Sequence, residues 1–366
     1  MNPRQSRGLT GFTLVELLIA ITIISILASL ILGVASVAGE TARHRKTEQM
    51  IARLHTLLME HYDTYKTRRV AVRQEILKGI NDSTASAAQK GLLTANARLY
   101  ALRELILMEV PDRWSDILLT DVPDPPTGLT DARYPFFQSP IGASPTGRTS
   151  LADVYLRRYA AIATGTNSLT GQTNTAEEIT DNQGAECLYL VITLATGDGE
   201  ARTLFGESTI GDTDGDGAKE FLDGWEHPIN FLRWAPGFDS QIQLSAVRLN
   251  PPPLPANTIW MSAADNDHDP FDVYRVERPA FRLVPLIFSA GRDETFGIRL
   301  VKPHVALRGL RSPGELQQIP NRNNWPIILP WGLSEPDVTG DRVFLGIDSG
   351  EGASTDNIHN HLLGDR

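Results

Sequence analysis

The chain has 366 residues, with 34 Lys and Arg against 44 Asp and Glu and a formal net charge of −10. That length can bury a sizeable core, and a single cysteine, Cys187, excludes an internal disulfide. Residues 79–366 hold 23 basic side chains against 38 acidic ones, which disfavours nucleic acid as a partner of this part of the chain.

The chain opens with a short basic segment, Arg4 and Arg7, and then reads Gly11-Phe12-Thr13-Leu14-Val15-Glu16. No further charge occurs until Glu40. Residues 17–39 are 23 consecutive uncharged positions, long enough at ~1.5 Å rise each to cross a hydrocarbon core of about 30 Å. Glu16 therefore lies inside the start of a membrane span. A lone acid there costs a few kcal/mol unless a cation pairs with it. A secretory signal has a shorter apolar core and a small-residue cleavage site after it, whereas here the Gly precedes the apolar run. Arg4 and Arg7 on one flank and Arg43, Arg45 and Lys46 on the other do not orient the span.

The segment from Gly11 to Leu18 resembles the processing site of type IV pilins and type II secretion pseudopilins. The resemblance implies a leader, residues 1–11, removed by a prepilin peptidase between Gly11 and Phe12, with methylation of the new Phe12 amine. It also implies that Glu16 pairs with the amino terminus of a neighbouring copy, that the chain crosses the inner membrane once, and that the head lies in the periplasm or outside. Many pilins carry a Pro part-way along this helix; here Gly33 stands at that place, itself a helix weakener by ~1 kcal/mol.

After the span, residues 40–78 carry nine basic and five acidic side chains. Ile51, Leu54, Leu58, His61 and Tyr65 recur at helical spacing, with Glu48, Arg53, Glu60 and Lys66 on the other side. The pattern predicts one helix over 12–78, a transmembrane half at 12–39 and an amphipathic stem at 40–78, stopped by Gly79. His55 and His61 are read as solvated or packing residues. Residues 79–366 form an extracytoplasmic head. Within it, 79–95 reads as a linker, and helices are predicted at 97–109, 151–163 and 175–194. Residues 111–149, rich in Pro and Gly, read as an irregular excursion. Strands are predicted at 229–234, 242–249 and 283–289, with a stiff Pro251-Pro252-Pro253 loop between the last two. Helices first and a small antiparallel sheet later give an α+β class. Cys187, in an apolar run beginning at Glu186, reads as a buried inert thiol.

Asp212-Thr213-Asp214-Gly215-Asp216-Gly217, followed by Glu220 and Asp223, has the alternation of a calcium loop. Alternate acids on a tight turn converge their carboxylates, Gly217 supplies the turn, and Ala218 offers a backbone carbonyl. A solvated acidic turn is the competing reading. Asp223-Gly224-Trp225-Glu226-His227-Pro228 is similar to the Asp-x-Trp-Gly-x-Pro segment of major pseudopilins, with Glu226 where that family has Gly. Ser289-Ala290-Gly291-Arg292-Asp293 is similar to the start of their calcium loop, whose close would be Asp356 beyond an insertion at 297–350. That resemblance implies calcium at Asp293 and Asp356. Asp265-Asn266-Asp267-His268-Asp269 reads as a solvated loop, and His359 and His361 as surface residues of the tail. No Gly-x-Ser-x-Gly, His-Glu-x-x-His or phosphate-binding loop occurs. The expected function is a non-enzymatic pseudopilus subunit. Its partners are copies of itself, sister pseudopilins, the prepilin peptidase and an inner-membrane assembly platform, with no nucleic acid. A pilin or minor pilin of a surface fibre acting in adhesion is the alternative, and a membrane-anchored extracellular enzyme a remote one.

Overall fold

A computed structural model describes residues 14–72, 74–117, 149–195, 204–235, 282–298 and 357–365, with a few shorter pieces. The leader, most of the 111–149 excursion and of the 242–249 strand, the Pro251–Pro253 loop and nearly all of the 297–350 insertion lie outside the described residues.

One helix, α1 (Leu14–Asp63), organises the molecule. Fifty residues at ~1.5 Å each make a rod of about 75 Å. Its first half has apolar side chains on every side, all exposed, from Leu14 to Val37. Hydroxyls that would otherwise lack partners bond back onto the helix: Thr22 to the Ile19 carbonyl, Ser25 to Ile21, Ser29 to Ile26 and Ser36 to Gly33. The helix continues unbroken through Gly33. In the second half burial narrows to a stripe of Thr47, Met50, Ile51, Leu54, Leu58 and Tyr62, as the spacing requires. His61, expected on this stripe, is only partly buried and lies beside Tyr65, its Nε2 3.0 Å from the Tyr65 hydroxyl.

The helix ends fifteen residues earlier than predicted, followed by a single 3-10 turn at Thr64–Lys66. The cause is tertiary. The Tyr65 hydroxyl donates to Glu109 Oε2 at 2.7 Å, and Arg68 clamps both oxygens of the same carboxylate. That clamp draws the chain away from the helical path. Gly79 is no stop; it lies inside α2 (Gln74–Asp82). The supposed linker is also helical, because α3 (Ala87–Glu109) starts at a capping box in which Gln89 N–H donates to Ser86 Oγ and Ser86 N–H to Gln89 Oε1. Val72, Ile80, Ala97 and Ala101 seal α2 against α3.

A short α4 (Trp114–Ile117) and α5 (Ser150–Ala163), capped by Thr149, follow. The helix predicted over 175–194 divides into α6 (Glu178–Asp181) and α7 (Gln183–Leu190), the latter widening into a π turn at Val191–Ala195. Asn182 makes the division, its side-chain amide reaching out to Thr213 and Asp214.

The strands are short. β1 (Ile210–Gly211) pairs with β2 (Glu220–Phe221). The main antiparallel sheet is ordered β3 (Asn230–Leu232), β4 (Leu286–Ser289), then the carboxy-terminal strand; a separate pair, β5 (Glu335–Pro336) with β6 (Arg342–Val343), precedes that last strand, β7 (Ile358–His359). Phe231 pairs with Ile287, and both face α1. Leu232, Leu286 and Phe288 face a second cluster with Ala235 and Ile298. Burial of both faces explains why Phe231 and Leu232 are apolar side by side. The central core joins Ile51, Leu54, Leu58 and Tyr62 of α1 to Leu105 and Ile106 of α3, Leu188 of α7 and the sheet. Trp234 closes it, donating from its indole to Tyr62 at 2.8 Å beneath the Arg103 guanidinium.

The turn at 223–227 fastens the head to the rod. Gly224 N–H donates to Thr47 Oγ1 at 2.8 Å, and the Trp225 indole donates to Glu40 Oε2 at 3.0 Å. A Cβ on Gly224 would lie 2.3 Å from the Arg43 carbonyl oxygen, so only glycine permits this approach. Asp223 holds the turn, Oδ1 accepting from Trp225 and His227 N–H and Oδ2 from the Ser289 hydroxyl. Glu226, at the position where the pseudopilin segment has Gly, takes a left-handed φ of 71°.

The tail histidines are not surface residues. His361 is 2% exposed, its Nδ1 2.9 Å from Ser240 Oγ and its Nε2 against the Pro285 carbonyl. Burial pushes its pKa down to about 3 and that of His359 to about 4.

Three outcomes are expected. Gly224→Ala forces the 223–227 turn off Arg43 and destabilises the protein by about 1–3 kcal/mol, read as a lower denaturation midpoint. Glu226→Gly relieves a left-handed backbone that costs about 1–2 kcal/mol and, after the added unfolded-chain entropy, stabilises by roughly 0.5–1 kcal/mol; an unchanged or lower midpoint refutes this. The native state binds fewer protons at His361 than the unfolded chain does below pH ~6.5, so stability is present above that pH and lost as pH falls toward 3. At pH 5 the expected loss from His361 is about 2 kcal/mol; His361→Gln should flatten the fall in unfolding free energy between pH 7 and 5.

Candidate metal centre and amino-terminal anchor

Glu16 stands in the first turn of α1, where the helix dipole favours a carboxylate. It is exposed on the outside of the apolar half of the helix. Gly11 and Phe12 lie outside the described residues. Among the described residues α1 is the single helix long and apolar enough to cross a membrane, which fits a single-pass anchor.

The acidic centre lies in the head, where α7, the loop at 212–217 and β2 meet. The loop is built inside out. Its carbonyls point away and are taken up by a backing segment: Asn167 donates to the Asp214 carbonyl, Ser168 N–H to that of Gly215, and Asn174 to that of Asp216. Gly215 and Gly217, at φ +78° and +98°, make the two reversals this requires. The carboxylates turn inward, each steadied by an N–H. Gly217 donates to Asp212, Asp216 N–H to Asp214, Ala218 to Asp216 and Thr213 to Glu220.

Asp212, Asp214 and Asp216 bring one carboxylate oxygen each within 4.8 Å of one another. Asp214 belongs to a second such group with Glu220 and Glu186. The pattern Asp-x-Asp-x-Asp with Glu220 is therefore brought together as the spacing implies. Asp223 is directed elsewhere, into the 223–227 turn described above. Glu186 of α7, not Asp223, completes the centre. The available signal was a charged residue opening an otherwise apolar run, since an acid is rarely buried without a partner.

Burial in this centre is extreme. Glu186 and Glu220 are fully buried and Asp216 is 1% exposed. Glu186 Oε2 accepts from the Trp114 indole at 2.5 Å, but Glu186 Oε1, Glu220 Oε1 and Asp216 Oδ2 have no hydrogen-bond partner. Among the described residues, no Lys or Arg forms an ion pair with any of these acids. Burial, reinforced by the neighbouring acids, raises Glu186 well above the usual carboxylate range, Glu220 to about 8 and Asp216 to about 6. Several clustered carboxylates with orphaned oxygens suit a hard cation, which prefers oxygen donors.

Asp293 is exposed on a turn, its Oδ1 accepting from Thr295 N–H, and Asp356 lies outside the described residues. Of the 265–269 cluster only Asp269 is described; it is buried, accepting from Phe271 and Leu283 N–H, and is not solvated. His55 meets Asn360. Cys187 is fully buried and its thiol is pushed far up by burial, so it is inert.

Residues 7–32 match the prokaryotic N-terminal methylation motif. No curated protein and no solved structure matches the chain. The motif implies processing by a prepilin peptidase and assembly into multimers. That motif, continued by one long apolar helix that enters a mixed α+β head, fits a type IV pilin-like protein.

Proposed function

We propose that this chain is a structural subunit of a type II secretion pseudopilus. The observation that carries the reading is α1 itself, whose apolar half, opened by Glu16, is exposed among the described residues and continuous with the spine of the head. Such a helix is incomplete alone. In the membrane, lipid covers it; in a fibre, the same half of other copies replaces lipid.

Cleavage between Gly11 and Phe12 creates an ammonium at the start of this span, and methylation of Phe12 retains its charge. Glu16 four residues on pairs with that ammonium on a neighbouring copy, because a carboxylate in an apolar layer is stabilised only by a cation. The pairing fixes the axial register between subunits. The leader stays in the cytoplasm, the span in the inner membrane and the head beyond it. The head contributes contacts with sister pseudopilins and performs no chemistry; the assembly platform supplies the work.

The expected mature protein begins at methylated Phe12 by amino-terminal mass analysis; recovery of the intact leader from a host with an active peptidase overturns the processing step. Glu16→Ala and Glu16→Val should insert and be processed normally yet form fibres at least about tenfold less well, because breaking one partner of a buried pair costs on the order of 3–5 kcal/mol. Normal fibres from either variant refute the pairing. Deletion should trap secreted enzymes inside the cell; normal secretion together with loss of surface fibres assigns the subunit to an adhesive pilus instead.

A further inference from the structure

We infer that Glu186, Asp214, Glu220, Asp212 and Asp216 hold one calcium ion that locks α7 to the 212–217 loop and β2. The inference is independent of the fibre reading.

The loop acids alone would be an ordinary acidic turn. What distinguishes this centre is Glu186, contributed by a helix 26 residues earlier in the chain and fully buried at its own position. The Trp114 indole holds one of its oxygens, and the other meets no hydrogen-bond donor. Glu220 and Asp216 repeat the arrangement, with one oxygen fixed by a backbone N–H and the second unpartnered and buried. A protein interior does not leave three carboxylate oxygens in one place without a positive partner, and among the described residues none of the ion-paired Lys or Arg side chains supplies it.

The donor set selects the ion. All five side chains are carboxylates, without His or Cys, which excludes a preference for zinc or copper. A carboxylate cluster in which Glu186, Glu220 and Asp216 each keep a second, unpartnered oxygen favours the larger, irregular shell of calcium over the strict octahedron of magnesium, which keeps most of its waters. Exposure also rises outward, from buried Asp216 through half-buried Asp214 to exposed Asp212, which gives the ion a path in.

The mechanical consequence follows from what the ligands stand on. Glu186 precedes Cys187 and Leu188, both fully buried, and Glu220 precedes Phe221, which packs on Phe205 and Tyr189. An ion between Glu186 and Glu220 therefore joins the two chain segments that carry these core side chains.

The test uses the full chain in detergent, stripped with a chelator. Calorimetric titration with calcium should give one ion per chain, with an affinity of about 10⁻³ M or tighter. Terbium should luminesce when tryptophan is excited, because Trp114 contacts a ligand directly, and calcium should displace it more readily than magnesium. Chelation should lower the melting temperature. Glu186→Gln should weaken calcium at least tenfold. If that variant does not fold, Asp214→Asn, on the half-buried loop, must show the same loss. The absence of bound calcium, unchanged affinity in Asp214→Asn, or a loss seen only in Asp293→Asn overturns the assignment.

Discussion

One helix has to satisfy two solvents. The backbone hydrogen bonds of α1 run without interruption from Leu14 to Asp63, while its surroundings change completely along the way. In the first half every face is apolar and exposed; in the second a single stripe is buried under the head. An α-helix suits the first environment because all its main-chain groups are satisfied internally. It suits the second because a stripe at three- and four-residue spacing presents a flat ridge to a sheet. The head is built on that ridge, with β4 and β7 against it and residues of β3, α3 and α7 in the same core. The same amphipathic segment therefore serves as both mast and core.

Several buried acids of the head are met by cations. Glu109 is clamped by Arg68 and Tyr65. Asp112 and Asp116 are met by Arg113 and Arg233, and Arg233 also bonds the Val110 carbonyl. In each case a cation from a distant part of the chain neutralises the carboxylate and fixes a loop or helix end. The centre around Asp214 is buried too, but among the described residues no Lys or Arg forms an ion pair with it. That contrast is what the calcium ion proposed above rests on.

The parts of this architecture legible in the sequence are those set by local pattern. The uncharged run after Glu16, the Ile51, Leu54, Leu58 face and the helix near 151–163 depend on neighbours in the chain, and they form where the spacing places them. The misread elements are governed by partners far away. Residues 64–67 could continue a helix on propensity alone, and leave it because Glu109 captures Tyr65 and Arg68. Asn182 interrupts a helix to reach Asp214. Asp223 has the spacing of a loop ligand, yet the Ser289 hydroxyl and two backbone N–H groups hold it elsewhere. The partners of Glu186 and the burial of His361 could be placed only once the chain was folded. The Ser86 and Gln89 capping box is the exception, a purely local signal for the start of α3.

The fastening of Gly224 and Trp225 onto Glu40, Arg43 and Thr47 comes immediately after the last apolar turn of α1. No slack chain separates span from head. Any axial force that draws the rod upward is delivered to the globular portion at once, as through a bolted flange, and any rotation of the rod turns the globular portion with it. A polymer of such parts would be stiff in torsion from its root, and would push on an obstacle without first taking up a hinge.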